Sequence, residues 1–466
     1  MSQSQHRLGP LAAAADYAVV FRQTQRPLHP TASVDDLREQ FCIELPERPR
    51  DGTAVIADLI AAAEPGLVGN TNANFFAWVM GSSNTTGVAA DWLTSIWGQN
   101  AAIYQTSPSA AVAEEAVATW VLDLLDLPRQ SSVGLVTGAT MAAFVALAAA
   151  RSAVLKRAGH DFEANGLQGA PFIKVFLSDD AHVTNLTAVR HIGLGDANCE
   201  AVASDAKGCM ELSALKQALE LHDGPKIIIA QAGHINSGAF EDFSKIAELA
   251  RKHNAWLHVD GAFGLWARVA PSRVHLTRGV ELADSWSVDG HKWLQVPYDS
   301  GFAIVRDADA HRRAMDITAS YLNASHEDGR NPTHYNPELS RRARGFAAWA
   351  VMQSLGRKGI ASIVEKHCEC ARTMAERLDR IVGLQVINEV DLNQIVIAPQ
   401  PPQRSGQMSA LAARLNATGN IFVRPAIWKG VEVLRLSFIS QDTTKTDSIR
   451  LAQTIERCWR EIQSEQ

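Results

Sequence analysis

The segment KIIIAQAGHINSGAFEDFSKIAELARKHNAWLHVDGAFG, residues 226–264, contains two short apolar runs separated by a helical pattern. The runs are KIIIAQAG and AWLHVDGA, and the helical pattern between them is DFSKIAELARKHN. Short apolar runs separated by helices are typical of strands that are buried on both faces, and such strands form parallel sheets. The segment therefore predicts a strand–helix–strand unit of an α/β domain.

The same alternation extends in both directions along the chain. Apolar runs recur in SVGLVTG, FIKVFLSDDAH, ADSWSVDG and GFAIVRD. We therefore predict a large domain over residues 66–335, with a mostly parallel central sheet and helices on both of its faces. Residues 1–65 are predicted to be an N-terminal helical segment. A long helical stretch, further strands and a final helix predict a smaller α+β domain over residues 336–466.

Composition narrows the class of ligand. The chain has 466 residues and a formal net charge of -6, and no strongly basic stretch indicates binding to nucleic acid. No apolar stretch approaches an uninterrupted membrane span, so we expect no contact with a membrane. The six cysteines are scattered without a CxxC pair, which predicts reduced thiols, no metal site and a cytoplasmic location. A small molecule is the expected ligand.

Polar residues that follow strands are candidates for a site, because ligands bind beside the carboxyl ends of strands in open α/β sheets. Five such places stand out. The TGAT turn after SVGLV offers the backbone N–H groups of Gly138, Ala139 and Thr140 to a single phosphate, although an ordinary tight turn has the same pattern. The other four places contribute His182, His234 with Asn236, Asp260, and Asp289 with His291 and Lys292.

Each of these residues has an ordinary structural explanation when it is taken singly. A histidine such as His182 is more often a surface residue or a helix cap, and an aspartate such as Asp260 more often caps a helix. Together, a phosphate cradle, an imidazole, a carboxylate and a lysine at strand ends of one sheet are what pyridoxal phosphate requires. The small residues after Asp260, which include Ala262, allow a flat ring to approach closely.

The sequence resembles the group II pyridoxal-phosphate decarboxylases, which include aromatic L-amino acid, glutamate and tyrosine decarboxylases. The resemblance extends over about residues 26–455, and its segments TGAT, SDDAH, AQAGHINSGAFED, HVDGAFG and DGHKWLQVPYDSG occur in family order. It implies the type I fold of pyridoxal-phosphate-dependent enzymes, similar to aspartate aminotransferase, with pyridoxal 5'-phosphate as the cofactor. It also implies a homodimer with active sites at the interface, to which residues 1–65 contribute.

The resemblance implies a role for each matching residue near the cofactor. Lys292 corresponds to the Schiff-base lysine, Asp260 to the carboxylate that pairs with the pyridine nitrogen, and His182 to the imidazole that stacks on the ring. The other implied cofactor contacts are Gly138, Ala139, Thr140, Ala262 and His234.

Residues that the resemblance places near the substrate are spread more widely along the chain. His291 would lie beside cofactor and substrate, and Tyr321 would protonate the substrate carbon after carbon dioxide leaves. Arg435 would meet the substrate carboxylate. Trp78 offers an aromatic wall, whereas Asn100 matches an asparagine of glutamate decarboxylases.

Two positions depart from the family pattern. His234 stands where many members have a threonine near the ring hydroxyl. Asp289 stands where the aromatic decarboxylases have an asparagine near the phosphate, and its charge would oppose a phosphate dianion unless the side chain faces elsewhere.

We therefore predict an enzyme that decarboxylates an L-amino acid to the amine and carbon dioxide through Lys292, with an aromatic substrate favoured. The alternatives are decarboxylation of an acidic amino acid such as glutamate or aspartate, and a pyridoxal-phosphate-dependent aldehyde synthase or transaminase. A non-enzymatic homologue that binds the cofactor for regulation is a further alternative. Such a homologue would be expected to lose Lys292 or Asp260, and both residues are present.

Overall fold

The computed structural model describes residues 3–24, 26–317, 329–401 and 405–465. The strands are β1 (Ser132–Val136), β2 (Lys174–Ser178), β3 (Cys199–Val202), β4 (Lys226–Gln231), β5 (Trp256–Asp260), β6 (Ser285–Asp289), β7 (Gly301–Val305), β8 (Leu384–Val386), β9 (Gln394–Pro399), β10 (Arg424–Trp428) and β11 (Val431–Ser437). The α-helices are α1 (Gln3–Gln23), α2 (Val34–Phe41), α3 (Gly52–Ala63), α4 (Thr85–Trp97), α5 (Pro108–Leu124), α6 (Ala139–Arg157), α7 (Phe162–Asn165), α8 (Val183–His191), α9 (Leu212–Glu220), α10 (Phe243–Lys252), α11 (Ala308–Met315), α12 (Gly345–Leu378), α13 (Gln407–Ala417) and α14 (Lys445–Ser464).

The central sheet has seven strands in the order β1-β7-β6-β5-β4-β2-β3. Neighbouring strands from β6 to β3 are parallel, whereas β7 runs antiparallel to both β1 and β6. Every residue of β4, β6 and β7 is buried, as expected for strands that are covered on both faces. The predicted mostly parallel sheet is therefore confirmed.

Two apolar cores lie on opposite faces of this sheet. Ile227 and Ile229 of β4 belong to the core that contains α6, α8 and α11. Ile228 and Ala230 belong to the core that contains α5, α9 and α10. Because successive side chains of a strand point to opposite faces, one apolar run serves both cores.

Two edge strands, β3 and β10, are missed by the sequence patterns. Val202 is the one buried residue of β3, and Trp428 is the one buried residue of β10. A strand with a single buried residue shows neither an apolar run nor alternation, so its pairing with a neighbour is what defines it. β3 pairs with β2, and β10 pairs with β11.

The C-terminal sheet is antiparallel, in the order β10-β11-β9-β8, and α13 packs against it. It forms the predicted smaller α+β unit. α12 joins this unit to the central sheet, with a break at Gly356 (φ 59°). Its side chains up to Cys368 pack in the core of the large domain, and those from Cys370 onward pack in the C-terminal core. The predicted domain boundaries at residues 65 and 335 remain predictions.

α6 begins at the edge of the central sheet where the parallel strands end. It follows β1 after the turn at Thr137 and Gly138. Its N-cap residue is Gly138, so no side chain at that position forms a capping hydrogen bond. In the described part of the chain, α6 is the one helix whose length and composition would suit a membrane span. Of its most apolar stretch of 18 residues, 67% is buried inside the fold. Its N-terminal amides face the site described next.

Candidate active site

The carboxyl ends of β1, β2, β4, β5 and β6 surround a cavity of about 340 Å³. All of these strands run parallel to one another, so their ends meet at one edge of the sheet. The predicted residues that line the cavity are Gly138, Ala139, Thr140, His182, Asp260, Ala262, His291 and Lys292. The structure thus brings together residues that are up to 154 positions apart, from Gly138 to Lys292.

Lys292 lies in the connection between β6 and β7. Its Nζ atom is 3.0 Å from Oδ2 of Asp289, and its side chain is 19% exposed at the cavity. The same Nζ is 5.8 Å from the centre of the Phe263 ring. The amine is therefore held by a buried counter-charge beside an aromatic face, and it is directed to the cavity rather than to bulk solvent.

Two donors fix the carboxylate of Asp260 at the end of β5. Asn185 donates from Nδ2 to Oδ2 at 2.9 Å, and the backbone N–H of Ala262 donates to Oδ1 at 3.1 Å. Burial lowers the pKa of His258, two residues earlier on β5, to about 4 although the charge of Asp260 acts in the opposite direction. His258 is therefore neutral at neutral pH and leaves the negative charge of Asp260 uncompensated from this side.

His182 caps α8 and also lines the cavity. Its Nδ1 is 2.6 Å from the hydroxyl of Thr184, and its backbone N–H donates to Oε1 of Gln231 at 3.1 Å. Burial lowers the pKa of His182, although Asp260 acts in the opposite direction. A residue with a neutral imidazole that is held at both its ring and its backbone is suited to stack on an aromatic cofactor. His182 can therefore be a helix cap and a cofactor-binding residue at the same time.

The TGAT turn is packed too tightly for side chains at Gly138. A Cβ atom built there would lie 2.9 Å from Cε1 of His291 and 3.2 Å from Oδ1 of Asp289. A Cβ atom on Gly301 of β7 would lie 2.5 Å from Cα of Gly138. The turn therefore needs glycine because its backbone lies directly against the segment that carries Lys292.

His291 is held on both sides of its ring. The ring stacks on Tyr298 with centroids 4.4 Å apart, its Nδ1 accepts from the N–H of Ser300 at 3.2 Å, and its Nε2 is 3.3 Å from Oδ1 of Asp289. Burial lowers the pKa of His291, and burial together with the charge of Asp289 raises the pKa of Tyr298 to about 12. The Tyr298 phenol thus stays protonated throughout the neutral range.

The structure does not bring His234 into the cavity wall. Gly233, with φ 87°, turns the chain so that the His234 ring faces Asp180, with Nε2 3.2 Å from Oδ2. Gly233 and Ile235 line the cavity in its place. His234 therefore supports the chain around the site instead of contacting a ligand there.

Two predicted substrate residues also lie away from the cavity. Trp78 is half exposed and packs beside Phe75 and Phe422. Asn100 accepts a hydrogen bond from the backbone N–H of Arg341 at 3.1 Å. Tyr321 lies outside the described residues.

Arg435 of β11 is not among the residues that line the cavity, but it contacts one of them, Ile235. It donates from Nη1 to the carbonyl of Ile235 at 2.8 Å, and burial lowers its pKa to about 10. Its charge also helps to lower the pKa of His182, after the larger effect of burial. Within the described residues, no acidic side chain forms an ion pair with Arg435, so its positive charge is available to an anionic ligand.

Sequence reasoning missed Asn185 and Gln231 as parts of the site. Asn185 lies one helical turn after His182, so helical spacing places both on one face of α8. Gln231 is the polar last residue of the apolar strand β4, which the strand-end rule predicts. Its Nε2 is buried with no hydrogen-bond partner among the described residues, although the residue lines the cavity.

A second cavity, of about 810 Å³, lies near the N-terminus and is lined by residues such as Phe21, Arg26, His29 and Asn72. It contains none of the predicted site residues. We assign the chemistry to the smaller cavity because the lysine, the held carboxylate and the helix N-terminus converge there. In the described ranges, no cluster of three or more His, Cys, Asp or Glu side chains is arranged to hold a metal ion.

The residues of the smaller cavity fit pyridoxal phosphate. The N-terminus of α6 lines the cavity at Ala139 and Thr140 and offers backbone donors to a phosphate, and Asp260 is held in place to face a pyridinium. Lys292 and His182 line the same cavity. Gln231 contributes an unpartnered donor.

Comparisons with known proteins agree with this fit. The conserved domain of pyridoxal-dependent decarboxylases matches residues 35–398. The aromatic-L-amino-acid decarboxylase of Sus scrofa is 28% identical over 446 residues, which cover 92% of this chain and 90% of that protein. The phenylacetaldehyde synthase of Arabidopsis thaliana is 25% identical over 440 residues, which cover 90% and 87%. The crystal structure of Oryza sativa TDC with PLP and tryptamine has a TM-score of 0.91 at 22% identity and matches 99% of each chain, which confirms the predicted fold.

Proposed function

The chain belongs to the pyridoxal-dependent decarboxylase family and uses pyridoxal phosphate, and on that premise we propose that it converts an aromatic L-amino acid to its amine and carbon dioxide. The observation that carries the proposal is the convergence of Lys292, Asp260 and His182 in one cavity. These three residues and the phosphate turn, which completes the predicted constellation, line the same cavity, and the carboxylate is held by two donors.

Each residue of the site has a separate role in the reaction. When bound, the cofactor supplies an electron sink for the electrons of the broken bond between Cα and the carboxylate. Asp260 would hold a proton at the pyridine nitrogen, and the N-terminus of α6 would hold the phosphate. Lys292 would supply the amine that bonds to the cofactor, and the His182 imidazole would lie against the ring.

The lining of the cavity supports an aromatic substrate over an acidic one. Arg435 contacts the lining residue Ile235, and a single guanidinium there suits the carboxylate that every amino acid carries. Among the described lining residues, Lys292 is the one lysine or arginine, and its amine is taken by the bond to the cofactor, whereas Met141, Ile235 and Phe263 offer apolar surface. A glutamate or aspartate substrate would require a second cation for its side chain.

The test is to supply the purified, cofactor-loaded protein with separate L-amino acids and to identify the products by mass spectrometry. We expect amines from tryptophan, tyrosine or phenylalanine. Lys292→Ala should form none, whereas Lys207→Ala should retain turnover, because Lys207 pairs with Glu389 at the surface. Amine from glutamate or aspartate instead would contradict the aromatic assignment. Cofactor binding without any turnover would favour the regulatory homologue.

An aldehyde product is the second candidate outcome, because a similar protein over 90% of this chain is a phenylacetaldehyde synthase. We propose that the amine dominates, since the chain carries the tyrosine, Tyr321, whose replacement in the family favours the aldehyde. Tyr321→Phe should shift the product from amine towards aldehyde. If that variant forms amine at the normal rate, Tyr321 is not the proton donor.

We further propose that the protein is a homodimer. Exposed apolar residues, among them Leu11 and Val20 on α1 and Ile96 and Trp97 on α4, support an interface on these helices. Trp78 and Asn100 lie outside the cavity of their own protomer, as residues of a shared interface would. Ile96→Asp should lower the mass measured by light scattering, whereas Leu221→Asp, at an 82% exposed position after α9, should not. A wild-type mass of one chain would overturn the proposal.

A cytoplasmic location is also proposed. The cysteines in the described residues form no disulfide, and Cys368, Cys370 and Cys458 are buried thiols. Reduced thiols are typical of the cytoplasm. Fractionation of the source cells, followed by detection with an antibody, would test this location.

A further inference from the structure

Asp289 contacts both ends of the predicted cofactor site. It is the last residue of β6, and its side chain is 4% exposed. Its Oδ1 accepts the N–H of Ala139 at 2.6 Å, and its Oδ2 is 3.0 Å from Nζ of Lys292. One carboxylate therefore links the phosphate turn to the reactive lysine.

The contact with Ala139 places a negative charge where the phosphate is expected. The N–H of Ala139 is the first of α6, whose N-cap residue offers no side-chain hydrogen bond. Anions are attracted to this end of a helix, and the Asp289 carboxylate uses that attraction. A phosphate dianion held by the same amide experiences repulsion from the carboxylate and competes with it for the donor.

The contact with Lys292 acts in the other direction. The carboxylate holds the ammonium group of Lys292 in the cavity, close to His291 on the same segment. Replacing it with an amide would set an NH₂ donor or a neutral oxygen against that ammonium and loosen the lysine. Attack on the cofactor aldehyde requires the neutral amine, so the Lys292 ammonium must first give up a proton, for which the Asp289 carboxylate at 3.0 Å is an acceptor, and the aldehyde oxygen then leaves as water. The same carboxylate is a counter-charge for the protonated nitrogen of the bonded lysine. Asp289 thus supports the covalent attachment of the cofactor while it disfavours the phosphate.

We propose that Asp289 is a positioning residue with two opposed effects: it lowers affinity for the cofactor phosphate and supports the bond between Lys292 and the cofactor aldehyde. The inference rests on the cofactor, not on the choice of amino acid substrate. Because the buried carboxylate opposes the phosphate, loading through the phosphate contact requires a higher concentration of the cofactor than it would with an amide at this position.

Two cofactor analogues separate the two effects. Pyridoxamine 5'-phosphate carries the phosphate but no aldehyde, so its dissociation constant reports the phosphate and ring contacts without a covalent bond. Pyridoxal carries the aldehyde but no phosphate, so its absorbance at the lysine reports the covalent bond alone. Both are titrated into the full-length protein after dialysis, with tryptophan fluorescence and absorbance as readouts.

For Asp289→Asn we expect pyridoxamine 5'-phosphate to bind about tenfold more tightly and pyridoxal to bind more weakly. Asp289→Ser, which is smaller, carries the same test if the amide variant fails to fold. Asp299→Asn is the matched control: Asp299 lies on the same segment but pairs with Arg344 at 2.6 Å, so both constants should stay unchanged.

Two results would overturn the inference. Equal or weaker binding of pyridoxamine 5'-phosphate to both Asp289 variants would show that the carboxylate does not oppose the phosphate. A parallel loss of affinity for both analogues would show a merely structural role. Absence of binding to the wild-type protein would instead reject the cofactor itself, and the wild-type titration separates that failure from the others.

Discussion

The carboxylate of Asp180 accepts a hydrogen bond from the indole Nε1 of Trp428 at 2.6 Å. Trp428 ends β10 in the C-terminal sheet, whereas Asp180 lies two residues before His182 in the large domain. Asp180 also lies 3.2 Å from Nε2 of His234. Burial raises the pKa of Asp180, but these hydrogen bonds outweigh that effect and leave the pKa below its ordinary value. The C-terminal sheet thus fixes the segment that positions the cofactor-facing imidazole.

Trp428→Phe should therefore weaken cofactor binding while retaining the apolar ring. The loss of one hydrogen bond to a charged acceptor is expected to cost about 1.5–3 kcal/mol in the free energy of unfolding. Urea denaturation measures this cost, and a titration with pyridoxal phosphate measures the affinity. If the hydrogen bond is the cause, Asp180→Asn combined with Trp428→Phe should cost less than the sum of the two single changes. Strict additivity would contradict the coupling.

Asn185→Leu should lower kcat about 10- to 100-fold. The change removes the donor at 2.9 Å that orients Asp260, and a hydrogen bond to a charged group is worth about 1.5–3 kcal/mol. The absorbance of the bound cofactor should shift as well, because the charge next to the pyridine nitrogen is no longer fixed. Asn185→Ser, which can still donate, should recover part of both signals. Unchanged kcat and absorbance in Asn185→Leu would remove Asn185 from the site.

Gly81→Ala should reduce cofactor binding through the backbone of the lysine segment. A Cβ atom at this position would lie 1.9 Å from the carbonyl oxygen of His291 and 2.4 Å from that of Lys292. Because both clashing atoms belong to the backbone, the lysine segment must move. Equilibrium titration with pyridoxal phosphate measures the effect.

The control for this substitution is Gly359→Ala on α12, where the nearest atom, Cβ of Leu355, would be 3.4 Å away. That variant should match the wild type in affinity and gain slightly in stability, since alanine favours helices more than glycine does. If both variants bind the cofactor equally well, the lysine segment tolerates the displacement.

The sequence predicts those features that are encoded locally. The buried strands appear as apolar runs, and the strand-end rule finds Lys292, Asp260 and His182 because they directly follow such runs. β3 and β10 are not predicted because each strand buries a single residue and so shows no apolar pattern. Only their hydrogen-bonded pairing with a neighbouring strand defines them. The sequence also does not predict that the two parts of α12 pack in different cores, because a continuous helical pattern does not indicate which neighbouring elements the helix contacts.

Side-chain direction is the part of the site that the sequence does not encode locally. His234 and Asp289 both lie near the carboxyl ends of strands, yet His234 turns away after Gly233 and Asp289 turns towards Ala139. The difference depends on the backbone torsion of one glycine and on the approach of α6 to β6, which involves residues 150 positions apart. Asn185 becomes part of the site for the same reason: a helix from one strand end packs beside the carboxylate of another.

Glu241→Gln should make the stability of the protein less dependent on pH. Burial raises the pKa of Glu241 to about 8; the charge of Asp205 adds to the increase, and the hydrogen bond from Met210 opposes it. In the unfolded chain this group titrates near 4.5. Between these values the folded state retains a proton that the unfolded state has lost, so stability falls by up to about 1.4 kcal/mol per pH unit as pH rises.

Glutamine does not titrate, and its carbonyl can still accept the N–H of Met210, which lies 3.0 Å from Oε2 in the wild type. The difference in free energy of unfolding between Glu241→Gln and the wild type should therefore be smallest near pH 5, grow in favour of the variant up to pH 8, and then level off. Urea denaturation at intervals from pH 5 to pH 9 measures it, and other titrating groups cancel in the difference. A difference that stays constant over this range would show that Glu241 is ionised in the folded protein throughout.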